Sequence, residues 1–234
     1  AGFIGSHVAE HLRDAGHEVI VLDDLSGGNL RNVPDGTQFV QGDVCDSRLV
    51  DHVFKTRRPE YVFHLAAFAA ENLSHNIRRF IYKNIVEGSA NVTNACVNHG
   101  VKLLVYTSSI AVYWHGKPPF VESMPPWSTD PYGIAKYAVE LDIEAARTHF
   151  GLNSIIFRPH NCYGTRQNLA DRYRNVVGIF MNQIMQGKPM TVFGDGSQTR
   201  AFSCIDDVAP IIALSAFQPA AYNKTFNIGG DAWY

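Results

Sequence analysis

Strand-length apolar runs alternate with stretches of helical period along the first two thirds of this chain. "EVIVLD" (18–23), "QFVQGD" (38–43), "YVFHLA" (61–66), "KLLVYTSS" (102–109) and "SIIFRP" (154–159) are short and apolar at successive positions, as in strands covered on both faces. Between them, "DSRLVDHVFKTRR", "EGSANVTNACVNHG" and "YAVELDIEAARTHFG" repeat their apolar residues at helical spacing, the last closed by Gly151 as a C-cap. The alternation predicts an α/β fold, a doubly wound parallel sheet with helices on both faces. The start, "AGFIGSHVAEHLRDAGHEVIVLD", reads as the glycine turn, helix and second strand of a βαβ unit, with no first strand in front of it. After about residue 160 the pattern becomes irregular: polar loops, a helix around 174–186, and short strands at "MTVF" (190–193) and "AFSCI" (201–205). Residues 1–159 are therefore expected to form the main domain. Residues 160–234 are expected to form a smaller, irregular lobe over the carboxyl ends of the strands, with some elements returning to the main domain.

Composition narrows the partners. With 46% hydrophobic residues over 234 positions the chain can bury a substantial core, and a formal charge of −2 gives no electrostatic footprint for nucleic acid. The longest apolar stretch, "VAPIIALSAF", is too short for a membrane span and holds a proline. Cysteines 45, 96, 162 and 204 are far apart, with neither zinc-site nor disulfide-scaffold spacing, which fits a reducing cytoplasm. His64, His75 and His160 have no metal-like spacing, so no metal is expected.

The glycines and two polar pairs carry candidate chemistry. In "AGFIGSH", Gly2 and Gly5 are three apart at a helix start, where glycine admits a pyrophosphate close to the backbone and the free amides attract its charge. Asp23 closes the following strand at about the 20-residue spacing of the carboxylate that binds an adenosine ribose diol. Asp24 follows directly, so a 2′-phosphate would face two carboxylates, and NAD is favoured over NADP. The main domain is thus Rossmann-like. In "DPYGIAKYAVEL", Tyr132 and Lys136 lie one helical turn apart. A phenol titrates too high to act as a base at neutral pH, but a cation beside it favours phenolate, and Lys136 could also grip a cofactor ribose. Ser109, at the end of a predicted strand in "YTSSIAVY", can hydrogen-bond the same hydroxyl that Tyr132 deprotonates.

The ordered set "GFIGSH", "VLDDL", "GDVCD", "FHLAA", "NIVEGS", "TSSIAVY", "YGIAK", "RPHNCYG" and "FGDGSQTRAF" resembles the extended short-chain dehydrogenase/reductase family, and within it the nucleotide-sugar epimerases, the UDP-glucose 4-epimerases above all. The resemblance spans essentially all 234 residues. It implies that Gly2, Phe3, Ile4 and Gly5 take the NAD pyrophosphate and Asp23 its adenosine ribose. Asp43 and Val44 would flank the adenine, with Leu65, Ala66, Ala67 and Asn84 along the rest of the cofactor cleft and His160 near the nicotinamide. Ser109, Tyr132 and Lys136 match the family's catalytic triad. Asn161 matches a substrate-contacting asparagine, Asn175, Val176, Thr191 and Phe193 match nucleotide-holding positions, and Arg200 matches the arginine on the sugar-nucleotide diphosphate. The implied activity is NAD-dependent 4-epimerisation of a UDP-hexose through a transient 4-keto sugar, in a cytoplasmic homodimer.

Related reactions remain in view. Dehydratases of this family carry an Asp–Glu pair after the "TS", where this chain has Ile110 and Ala111, which favours epimerisation. A UDP-N-acetylhexosamine or UDP-uronate epimerase, or another nucleotide-sugar short-chain dehydrogenase, is the alternative, and a catalytically idle NAD-binding regulator is the alternative of a different class, disfavoured because Ser109, Tyr132 and Lys136 are all present. Three departures from the pattern stand out: Trp114 and His115 replace the usual glycine after "VY", Ala69 replaces a lysine of some epimerases, and Cys162 beside Asn161 has no evident base. The resemblance also implies further chain at both ends, so that the 234 residues alone are expected to bind NAD poorly.

Overall fold

In a computed structural model, which describes residues 1–113, 116–171, 173 and 175–230, the strands are parallel and the helices lie on both sides of them. Strands β1 (Ile20–Asp23) and β2 (Gln38–Gln41) form one ladder. A second ladder runs in the order β3 (Tyr61–His64), β4 (Leu103–Thr107), β5 (Ser154–Pro159) and β8 (Lys224–Ile228). The short β6 (Asn161–Tyr163) and β7 (Phe202–Cys204) pair separately beyond the end of β5. β2, β3 and β4 each end two residues before their apolar runs do, and those last residues turn out of the ladder into the cleft.

Side-chain alternation divides the interior in two. On β4, Leu104 and Tyr106 point into a core built with α2 (Ser47–Arg57), α5 (Gly88–Asn98) and α6 (Pro131–Phe150). Leu103 and Val105 point the other way, into a core with α1 (Phe3–Asp14) and α8 (Ile205–Ser215). All five residues of β4 are buried, the signature of a central parallel strand. α8 and β8 therefore belong to the main sheet, although they lie late in the sequence. α8 was not foreseen, because Pro210 sits inside it and removes one backbone donor. Packing of Val208, Ala209, Ile212 and Ala213 with Val8 and Leu12 of α1 offsets that loss.

The predicted strand at 190–193 does not form: these residues are exposed and pair with no other strand among the described residues. A strand needs a ladder partner as well as apolar residues. The helix expected nearby is α7 (Val176–Met185). The departure at Trp114 and His115 lies outside the described residues. No described helix is long and apolar enough to cross a membrane.

Two local devices place the site. α3 (Glu71–Ser74) and α4 (Arg78–Tyr82) follow β3, and α4 passes through a π-helical turn, Lys83–Glu87, into α5. That turn carries Asn84, whose Oδ1 accepts the Phe68 backbone N–H at 2.7 Å. α6 starts on Asp130, whose Oδ1 accepts the N–H groups of Tyr132 and Gly133 at 3.0 Å each, with Pro131 at the first position and Gly151 in the left-handed conformation as its stop. Gly133 has no room for a side chain: an added Cβ would lie 2.2 Å from Ser128 Oγ and 2.6 Å from the Ala111 carbonyl oxygen. Gly133→Ala is expected to lower stability by about 1–3 kcal/mol, read as a lower midpoint in urea unfolding.

Candidate active site

A cleft runs across the carboxyl ends of β1, β3, β4 and β5. Its first end is built for an anion and a diol. Gly2 precedes α1 in extended conformation, with no side chain capping the helix and no acidic residue in its first turn, so the helix amides and dipole are open to a phosphate. No protein atom lies within 4 Å of a Cβ placed on Gly2, and Gly5 would only touch Leu65.

Asp23 ends β1 with its Oδ1 accepting the Leu25 N–H at 2.7 Å and its Oδ2 bonded to the Ala1 nitrogen at 3.0 Å. An added Cβ on Gly28 would lie 2.8 Å from Asp23 Oδ1. Gly28 is a site residue that motif reading passed over, although the "SGG" after "VLDDL" was its signal. Phe3, Ile4, Asp43, Val44, Leu65, Ala66, Ala67 and Asn84 line the same cleft. Val44 is held by its carbonyl, which accepts Asn91 Nδ2 at 3.0 Å. These residues fit a dinucleotide: an open helix start, a carboxylate beside a glycine, and apolar walls between.

The candidate catalytic residues sit where β4 meets α6. Lys136 Nζ donates to the Thr107 carbonyl at 2.7 Å and lies 5.9 Å from the Tyr132 ring centroid and 4.9 Å from that of Tyr106. The alkyl stem and the ammonium are both buried. Burial pushes the Lys136 pKa down to about 7, against an upward pull from Glu140. Ser109, two residues beyond β4, has its Oγ accepting the Ala111 N–H at 3.1 Å, which leaves its hydroxyl proton for another acceptor. Ser109, Tyr132 and Lys136 all line the cleft, Ser109 from just past the end of β4 and the other two from the start of α6.

The far side of the cleft is more loosely built. His160, Asn161, Asn175, Val176 and Arg200 line it. Asn161 Nδ2 donates to the Ala201 carbonyl at 3.0 Å, and Asn175 caps α7 through Gly178 N–H while its amide reaches the Cys162 carbonyl. Both asparagines thus hold the lobe's strands and helix in place. Arg200 is exposed, with Nη1 on the Thr199 carbonyl at 2.7 Å. Thr191 and Phe193 are not among the residues that line the cleft in this structure. Gln183 holds Thr191 at 2.8 Å on an exposed loop, and Phe193 is 75% exposed.

Other side chains gain or lose a role. Glu71, half-buried in the cleft wall, is pushed up to about 7 by burial and by Asp130, against the pull of Arg200; nothing in its motif pointed to it. Burial pushes the Cys162 thiol up to about 12, so it is no thiolate nucleophile at neutral pH. Among the described residues no group of three or more His, Cys, Asp and Glu could hold a metal ion.

The NAD dependent epimerase/dehydratase family model matches residues 1–229. The chain belongs to that family. It is 34% identical over 236 aligned positions to a UDP-glucose 4-epimerase of Mycolicibacterium smegmatis, covering 98% of this chain and 74% of the relative. Among solved structures, the UDP-glucose 4-epimerase of Thermotoga maritima, determined with UDP-glucose, superposes with a TM-score of 0.94 at 34% identity, over 100% of this chain and 76% of that one. The Thermus thermophilus UDP-glucose 4-epimerase in complex with NAD gives 0.92 at 32% identity, with the same shares.

The Lys136 environment has a consequence for stability. A lysine ordinarily titrates near 10.5, and here the folded value is about 7. Between those values the unfolded chain binds a proton that the folded chain has shed, so stability gains a term that rises with pH across that window. Lys136→Met is expected to remove this rise, measured as the difference between variant and wild type in urea unfolding at successive pH values.

Proposed function

We propose that this chain carries the catalytic centre of a UDP-hexose 4-epimerase. The observation that carries the reading is the buried Lys136 ammonium one helical turn from Tyr132, with Ser109 on the same cleft wall. The similar enzymes from Thermotoga and Thermus, with their UDP-glucose and NAD, support it.

Bound NAD would supply the acceptor for the hydride that leaves C4 of the sugar, and its donor on return. The chain's own residues do the rest. Gly2, Phe3, Ile4, Gly5 and Asp23 hold the cofactor's phosphates and ribose, and Leu65, Ala66, Ala67, Asn84 and His160 wall its path toward Ser109. The Lys136 charge favours phenolate at Tyr132, which removes the proton of the C4 hydroxyl while Ser109 orients that hydroxyl. The resulting 4-keto sugar turns about its diphosphate, held by Arg200, and Tyr132 returns the proton to the oxygen as the opposite face is reduced. Ile110 and Ala111 follow Ser109, so no carboxylate stands there to expel water.

In this reading residues 1–159 hold NAD and 160–234 hold the sugar nucleotide, with α8 and β8 returned to the main sheet. The enzyme would act in the cytoplasm as a homodimer. Exposed Phe80 on α4 and exposed Ile134 and Leu141 on α6 offer the apolar surface for such pairing.

Supplied with UDP-galactose, the full-length polypeptide is expected to form UDP-glucose, followed by chromatography. Tyr132→Phe should cut turnover by at least about 100-fold while NAD remains bound. Full activity in that variant would sink the reading, and no turnover in the wild type would move the activity to another nucleotide sugar or to a sensor.

A further inference from the structure

Behind the site lies a buried charge network that the mechanism above does not use. Glu140 and Arg158 are each 5% exposed. They meet through two bonds, Nε to Oε1 at 3.0 Å and Nη2 to Oε2 at 2.5 Å. Ser108 Oγ donates to Glu140 Oε1 at 2.5 Å. Arg158 Nη1 donates to the Tyr113 phenol oxygen, and that phenol donates to Asn227 Oδ1 at 3.2 Å on β8. The Arg158 guanidinium also stacks over the Tyr113 ring, 4.8 Å from its centroid.

A buried ion pair is a poor device for stability, since well-packed apolar residues often do as well or better. What distinguishes this one is where its bonds lead. Ser108 precedes Ser109, and Tyr113 ends the short 3-10 turn Ile110–Tyr113 that follows it. Glu140 lies one helical turn beyond Lys136, on the same side of α6.

The charges around Lys136 sharpen the point. It faces Tyr132 and Glu140 on its own helix, Tyr106 on β4 and His64 on β3. Burial and the Lys136 charge hold His64 down at about 3, so its ring is neutral, and burial holds the Tyr106 phenol protonated. Glu140 is then the standing anion that faces Lys136 among the described residues.

We propose that Glu140 and Arg158 form the positioning pair of this active site: the Glu140 carboxylate keeps Lys136 an ammonium beside Tyr132, and with Arg158 it clamps Ser109 from both sides, through Ser108 and Tyr113. The proposal rests on the reading of Ser109, Tyr132 and Lys136 as the reacting groups.

The test uses the full-length polypeptide with isotope-labelled lysine, so that the Lys136 titration is read by NMR without cofactor or substrate. Glu140→Gln alone leaves Arg158 buried without its partner, so the main variant is Glu140→Gln with Arg158→Met, which removes both charges. Its Lys136 midpoint is expected to fall by about one pH unit. Turnover at neutral pH should drop about fivefold, recover toward lower pH, and leave KM within about twofold. A purely structural pair would leave midpoint and pH profile as in the wild type, and that result overturns the proposal. Glu140→Asp serves as the second variant. It keeps the charge but withdraws it from Ser108, so the midpoint should hold while turnover falls; unchanged turnover there overturns the clamp. If the wild type turns over no UDP-galactose, the functional reading fails, and the Lys136 midpoint still decides the electrostatic half.

Discussion

Much of this molecule depends on one bond, from the Lys136 ammonium to the Thr107 carbonyl at the end of β4. Placing a cation there requires that α6 start close beside the strand end, and each residue around that start serves the requirement. Asp130 satisfies the first free amides, Pro131 presets the backbone, and Gly133 lets the helix touch the Ala111 carbonyl where any side chain would collide. The helix then delivers Tyr132 and Lys136 to the same cleft wall that β4 delivers Ser109 to. A shift of about 1 Å in that junction would be enough to disturb the proposed catalytic geometry.

The same junction explains how charge is tolerated in the interior. A lone buried ammonium is costly, and burial alone pushes Lys136 toward neutrality. The Thr107 carbonyl, the faces of Tyr106 and Tyr132, and the Glu140 carboxylate together offset that cost. Glu140 in turn is shared with Arg158 and Ser108. These groups form one connected network running from β8 through β5 and α6 to the end of β4, between the two apolar cores on either side of the sheet.

The two ends of the cleft contrast in construction. The glycine turn, Asp23 and the residues after β3 are set by strand ends and a helix start, so little freedom remains there. On the other side, Arg200 is exposed and the segment through Thr191 and Phe193 stands off the cleft. An exposed loop carrying bulky apolar residues has no packing of its own to orient it.

Local pattern by itself determined the parallel α/β class, the strands through β5, the long helices and the glycine turn with Asp23, and it picked out Ser109, Tyr132 and Lys136, which line one cleft. Each of these is written in periodicity, capping residues or short spacing, which act over one or two turns of chain. Tertiary structure decided the remainder. It admitted Pro210 into α8 because α1 offered a face to pack on, and it denied residues 190–193 a strand because no ladder partner lay beside them. It brought Gly28 against Asp23, and Arg158 and Tyr113 to Glu140. Contacts of that kind join positions tens of residues apart, and their energies come from burial and proximity that exist only after the chain has folded.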